Sequence, residues 1–537
     1  MRAGLRPAHH RRTRPGRTAG GHRRPAAVRR WHPEPAAPGR RGLGQAHDPA
    51  GRAHQCRHRT AHRPGRRKDR QGRGQGAGTG VGEQGRQAEP HQHRRLQDPG
   101  AVHPQRHPCL GTGGRARSLR RPVRHRRPGR GRDRLPGKAR RAVEERMSTD
   151  TVADEAPVLF EERVAGNGMR IGIATLNAPR TLNGFSLPMA HLLLKQLNAW
   201  ADDDAIAMVV LQGAGEKAFC AGGDLHSLYK SMVAFRDAGR RDIRENDYAA
   251  EFFDVEYRVD YLIHTYAKPI LCWGHGIVMG GGIGLMSGAS HRVVSERSKL
   301  AFPEITVGLF PDVGGSWLLP RVPGKGGLFL ALTGALLNPG DAIYAGLADV
   351  HVAEERRSAV FDALLQVAWS GDAAHNHERL SQLLQSHASD AVTGPLLAHA
   401  AQVDALCEGD DLSAIIDRIS SLQTDDAWLQ AAQKTLAAGA PGSARLAFEL
   451  QRRSAGQDLA SVYRLEYITA LHCAAHGDFA EGIRALLIDK DRNPQWKPAA
   501  LAEATTTWAD TFFASPWADA AHPLADLGTP LAERSLA

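Results

Sequence analysis

A break in composition at Met147 limits what this chain can fold into more than any other feature. Residues 1–146 hold 37 Arg and 2 Lys against 9 acidic residues, a net charge of +30. Residues 147–537 carry 31 basic and 48 acidic residues, a net charge of −17. The first stretch contains no Phe, Tyr, Ile or Asn and one Trp (Trp31), yet it holds half of the 26 His. So few large apolar side chains cannot offset the entropy of ordering, so residues 1–146 are expected to be a disordered basic extension. Arg with almost no Lys, among Pro, Gly, Ala and His, is what GC-rich DNA yields in an unselected frame, and Met147 then reads as the natural start. Two other readings compete. A basic arm could neutralise phosphates through runs such as Arg120-Arg121-Pro122-Val123-Arg124-His125-Arg126-Arg127, but aromatics and Arg-Gly repeats are missing. A transit peptide is also Arg-rich, but is shorter and amphipathic.

The other 391 residues contain no apolar run long enough to cross a bilayer and no secretory leader, so a soluble, cytoplasmic protein without a membrane partner is expected. Cys220, Cys272, Cys407 and Cys473 are widely spaced, which predicts reduced core residues and neither disulfides nor a zinc site. Strands are predicted at Val158–Phe160, Met169–Leu176, Ala207–Leu211, Pro269–Trp273 and Arg292–Ser295, with a helix from Pro188 to about Trp200. The wholly apolar runs imply strands buried on both faces, hence parallel strands with crossover helices, an α/β core. Beyond about residue 355 only helices are predicted, one opening at a capping box of Asp478-Phe479-Ala480-Glu481. The expected organisation is an extension over 1–146, a core over 147–350 and a mainly helical part over 351–537. A homo-oligomer is compatible with that helical part.

Three loops carry residues suited to chemistry. Ala221-Gly222-Gly223-Asp224 and Gly280-Gly281-Gly282 each follow a predicted strand, and paired glycines expose backbone N–H groups without a side chain in the way. Aimed at one point, two such donors would stabilise an oxyanion, each worth roughly 3–4 kcal/mol in the transition state. Tight turns or phosphate cradles would use the same glycines. In the third loop, Phe302–Trp317, Glu304 and Asp312 sit among apolar residues, Pro and Gly, where carboxyl pKa values rise. The structural alternative is that Glu304 caps a helix and Asp312 satisfies loop amides. His275, between two glycines, reads as a hydrogen-bonded structural residue, and no GxSxG elbow is present.

In their order and spacing, these loops resemble the enoyl-CoA hydratase/isomerase (crotonase) superfamily. The resemblance implies a ββα spiral core in which the N–H groups of Gly223 and Gly281 polarise an acyl-CoA thioester carbonyl. It also implies substrate or CoA contacts at Leu182, Asn183, Ala221, Gly222, Asp224 and Gly280. Hydratases of this family use two glutamates. The second matches Glu304, but the first falls on Gly284, and Asp312 stands where hydratases usually carry glycine. Glu304 with Asp312, and the stretch Phe479–Pro498, resemble instead the 3-hydroxyisobutyryl-CoA hydrolase branch, the thioesterases of valine breakdown. The implied substrate is a short-chain 3-hydroxyacyl-CoA, with no metal and no cofactor beyond the CoA of the substrate itself. Glu304 could attack the acyl carbon or activate water, and Asp312 could orient the substrate hydroxyl or assist the water. Hydration of an enoyl-CoA is the alternative within the family. Nucleic-acid binding by the basic extension is the alternative of another class and is not favoured.

Overall fold

Strand β3 (Ile206–Gly213) sets the architecture, because its side chains alternate between two separate hydrophobic clusters. Val209 and Leu211 pack into one cluster and Met208 and Val210 into the other, as a strand's period of two requires, while Ile206 and Ala207 fall out of that phase at a register shift opposite Arg170 and Ile171. The computed structural model describes residues 156–529, so the expectations for residues 1–146 lie outside the described residues.

Six strands form the main sheet in the order β1 (Val158–Val164), β2 (Arg170–Leu176), β3, β5 (Ile270–Gly274), β7 (His291–Val294) and β9 (Val350–His351). All neighbours in it are parallel, as the wholly apolar runs implied, except β1 and β2, which form an antiparallel hairpin. The connection through Gly166-Asn167-Gly168 is too short for a crossover, which forces that reversal. A second, three-stranded parallel sheet contains β4 (Ala218–Cys220), β6 (Ile277–Met279) and β8 (Lys299–Ala301). Successive strand pairs therefore give one strand to each sheet, the spiral of ββα units that the resemblance implied. The three short strands were not evident in the sequence, since three residues carry too little pattern.

Helix α1 (Leu187–Asp202) starts at Ser186, whose hydroxyl accepts from the Met189 N–H, and buries Met189, Ala190, Leu193, Leu197 and Trp200. The Trp200 ring lies over β2 at Gly172, where a Cβ would stand 2.7 Å from it. Helices α2 (Leu225–Asp237) and α3 (Asp247–His264) follow β4, and α4 (Gly281–Ser287) follows β6. After β9 the described chain is helical. Helices Arg357–Leu364 and Ala373–His387 cover the outer face of the sheet through Val360, Leu364, Leu380 and Leu384. The later helix α5 (Leu459–His476) packs on α3. Among the described residues no helix is long and apolar enough to cross a membrane.

The predicted capping box does not form. Asp478 has helical φ and ψ, so it cannot act as a cap, and its carboxylate accepts instead from the Lys497 N–H at 2.8 Å. Glu481 pairs with Arg484 at 2.8 Å, and the helix ends as a wide turn over Arg484–Ile488.

Candidate active site

Two successive units of the spiral, ending in β4 and β6, each deliver a glycine loop to the same place. Gly222 takes φ of +111° and Gly280 φ of +49°, conformations that side-chain-bearing residues rarely adopt, and both strands can then turn sharply into their helices. A Cβ on Gly281 would lie 3.4 Å from the Gly223 nitrogen, so the two loops touch. Gly281 is the first residue of α4, and its N–H has no acceptor within the helix. The bridge between Phe185 and Gly223 fixes the first loop, with the Phe185 N–H donating to Gly222 O at 2.8 Å.

Glu304 enters this place from the turn after β8. It is 4% exposed, and Oε1 stands 3.1 Å from where a Cβ of Gly280 would be. Neither carboxyl oxygen has a hydrogen-bond partner in the protein. Burial, and then the neighbouring Asp312, push its carboxyl well above the usual carboxylate range. Asp312 is equally buried, and its Oδ2 accepts from the Tyr257 hydroxyl at 2.8 Å. Burial pushes it up to about 7, with the Tyr257 bond pulling the other way. The structure thus brings together Glu304, Asp312 and both glycine loops.

Helix α3 adds two acids that the sequence reading did not single out. Glu256 Oε1 would meet a Cβ on Gly281 at 2.6 Å and one on Gly223 at 3.9 Å, so it sits against the paired N–H groups. One turn further, Asp260 is fully buried, and neither of its oxygens has a partner. Burial and the charge of Asp312 raise both carboxyls well above the normal range. A Cβ on Gly284 would stand 2.7 Å from both Asp260 Oδ2 and the Val313 side chain. The position where hydratases carry their first glutamate therefore has no room for a side chain. A fifth buried acid, Glu466 of α5, accepts from the Gly314 and Ser316 N–H groups, each at 2.8 Å. Burial pushes its carboxyl up to about 8 against the pull of the Gly314 bond.

The remaining expected contacts divide. The Asp224 carboxylate caps α2, accepting from the His226 and Ser227 N–H groups at 3.2 Å. Asn183 is fully buried, and its amide donates to Ala214 O and Ala218 O and accepts from the Ala178 N–H, all at 2.9 Å. Both side chains are thus spent on bonds within the protein. Leu182 and Asn183 both lie in left-handed backbone, and the Leu182 carbonyl takes the Ala221 N–H at 3.1 Å. His275 is structural, its Nε2 lying 2.9 Å from Gly215 O. Among the described residues no group of three His, Cys, Asp or Glu is placed to hold a metal ion.

The enoyl-CoA hydratase/isomerase sequence profile matches residues 171–513. The 3-hydroxyisobutyryl-CoA hydrolase, mitochondrial, of Xenopus tropicalis is 36% identical over 375 residues, which are 69% of this chain and 91% of that protein. The human protein of the same name is 33% identical over 376 residues, with the same coverage. Among solved structures, an enoyl-CoA hydratase from Rhodobacter sphaeroides superposes with a TM-score of 0.58 at 33% identity, over 67% of this chain and 98% of that one. A carnitinyl-CoA dehydratase from Mycobacterium thermoresistibile gives the same score and identity, over 67% and 96%. The relatives' mitochondrial naming overturns the expectation of a cytoplasmic protein. That expectation rested on the lack of a long apolar run and a secretory leader, neither of which separates one aqueous compartment from another.

Proposed function

We propose, on the premise that the chain belongs to the enoyl-CoA hydratase/isomerase family, that it hydrolyses 3-hydroxyisobutyryl-CoA to 3-hydroxyisobutyrate and CoA, a step of valine breakdown. Relatives 33% and 36% identical, matched over 91% of their length, carry that hydrolase name. The observation that carries the reading is the acid set. Glu304 faces the paired glycine loops and Asp312 lies beside it, while Gly284 leaves no space for a hydratase's first glutamate.

In this reading the thioester oxygen receives the N–H groups of Gly223 and Gly281, which hold the negative charge that develops as the acyl carbon turns tetrahedral. Glu304 acts on that carbon either directly, giving a mixed anhydride that water then opens, or by taking the proton of an attacking water. Both routes break the same C–S bond and need the ionised carboxylate. CoA leaves as a thiolate and takes up a proton, so no strong acid is required. Asp312, held by Tyr257, orients the 3-hydroxyl of the substrate.

Free-thiol release from 3-hydroxyisobutyryl-CoA by the purified chain, with crotonyl-CoA hydration run in parallel, tests the assignment. Thiol release without hydration is expected. Hydration without thiol release would replace the hydrolase with a hydratase.

A further inference from the structure

The turn that carries Asp312 is strained. Val313 is β-branched yet sits at φ of +52°, and Gly314 follows at +83°. A β-branched residue in left-handed backbone persists only where the surroundings over-determine it. Helix α5, about 150 residues further along the chain, supplies side-chain partners for the backbone on both sides of Gly314. Glu466 is fully buried and spends one oxygen on the Gly314 N–H and the other on the Ser316 N–H. One turn earlier on the same face, the Tyr463 hydroxyl donates to Val313 O at 3.4 Å. A Cβ on Gly314 would stand 2.9 Å from that hydroxyl. The turn is thus gripped on both sides of Gly314, and its other end is Asp312, bonded to Tyr257.

We propose that Glu466 is a positioning residue for the reaction: from the C-terminal helix it fixes the Val313–Ser316 turn through two backbone N–H groups, and so sets where the Asp312 carboxylate points. The inference rests on the hydrolase reading. It also gives the long helical region a part in the chemistry, because a chain ending after β9 would lack both the Glu466 and the Tyr463 contacts to this turn.

The test uses the full chain with Glu466→Gln and Glu466→Ala. Gln keeps one acceptor but turns an NH2 toward the second N–H, whereas Ala removes both acceptors. Misplacing a catalytic group by about 1 Å can cost about 100-fold in rate. Glu466→Ala should therefore lose about 100-fold in kcat, and Glu466→Gln an intermediate amount, with KM for the CoA ester within about twofold of wild type. Hydrogen exchange should speed up in peptides covering Val313–Ser316. Leu471→Ala, on the same helix and equally buried, should lower the melting temperature while kcat at 25 °C holds.

Wild-type kcat in both Glu466 variants, a loss confined to KM, or an equal kcat loss in Leu471→Ala would each overturn the proposal. If the wild-type chain releases no thiol, the hydrolase reading itself fails. Exchange at Val313–Ser316 then decides the anchor alone, and unchanged exchange in Glu466→Ala overturns it.

Discussion

Glu304 and Asp312 stand eight residues apart in sequence and are both buried, and the charge of Asp312 raises the working range of Glu304. Both roles proposed for them need carboxylates, so thiol release should rise with pH, starting at about 7 where Asp312 ionises and continuing as Glu304, raised by that charge, ionises in turn. Glu304→Gln should cut kcat by about 10²–10⁴-fold, the usual worth of such a group, while CoA-ester binding by calorimetry is kept. Asp312→Asn should also slow the reaction, but with a distinct signature. Removing its negative charge relieves one of the two causes that raise Glu304, so the residual activity should rise at lower pH than in wild type. A pH–rate profile that stays in place in Asp312→Asn would separate the two carboxyls electrostatically. These two residues were legible because carboxylates flanked by Pro, Gly and apolar residues have few solvated alternatives. Their partner Tyr257 was not, since a hydroxyl on a distant helix leaves no mark near either acid.

At the scale of elements, α3 is where sequence reasoning saw least and the structure adds most. The helix buries Ala249, Phe253, Glu256, Asp260 and Ile263 along one stripe, so two acids occupy positions in phase with the core. That phase was the available signal: charged residues on an apolar stripe are either paired or functional, and Glu256 and Asp260 have no cation beside them to lower their pKa. The β-strands feeding the glycine loops, by contrast, were plain wherever the apolar run was long, as in β3 and β5. They were invisible at three residues, as in β4, β6 and β8. A buried acid that binds its proton more tightly in the folded state than in the unfolded chain contributes stability at low pH and loses it as pH rises. Asp260 is raised in this way. Asp260→Asn should therefore change the melting temperature increasingly in the stabilising direction between pH 5 and pH 8, by at least about 2 °C across that span. A difference that stays flat with pH would mean that Asp260 is matched by a partner in solution.

For the whole molecule, the question is whether the helical region forms a unit apart from the catalytic core. The packing argues against separation. Strands β3, β5 and β7 each give alternate side chains to both hydrophobic clusters, and Trp273 and Val293 face the helices of the later region while Cys272 and Val294 face the side of the catalytic loops. Losing either cluster exposes one whole face of the same sheet, so neither can melt alone without stripping the other of its backing. The composition hinted at an α/β start and a helical finish, but not at this shared wall, because a list of helices does not say which face of a distant sheet they cover. Trp369 tests the coupling from the far side. It is 2% exposed in the outer cluster, and its indole N–H donates to Leu364 O at 2.9 Å. Trp369→Ala should cost about 3–5 kcal/mol through lost burial and the cavity left behind. If the sheet joins the two clusters, far-UV circular dichroism and thiol-release activity should disappear together at one lowered temperature, with kcat at 25 °C unchanged. Two resolved transitions, with activity outlasting the first, would mean that the outer helices melt as a separate unit and that the catalytic side stands without them.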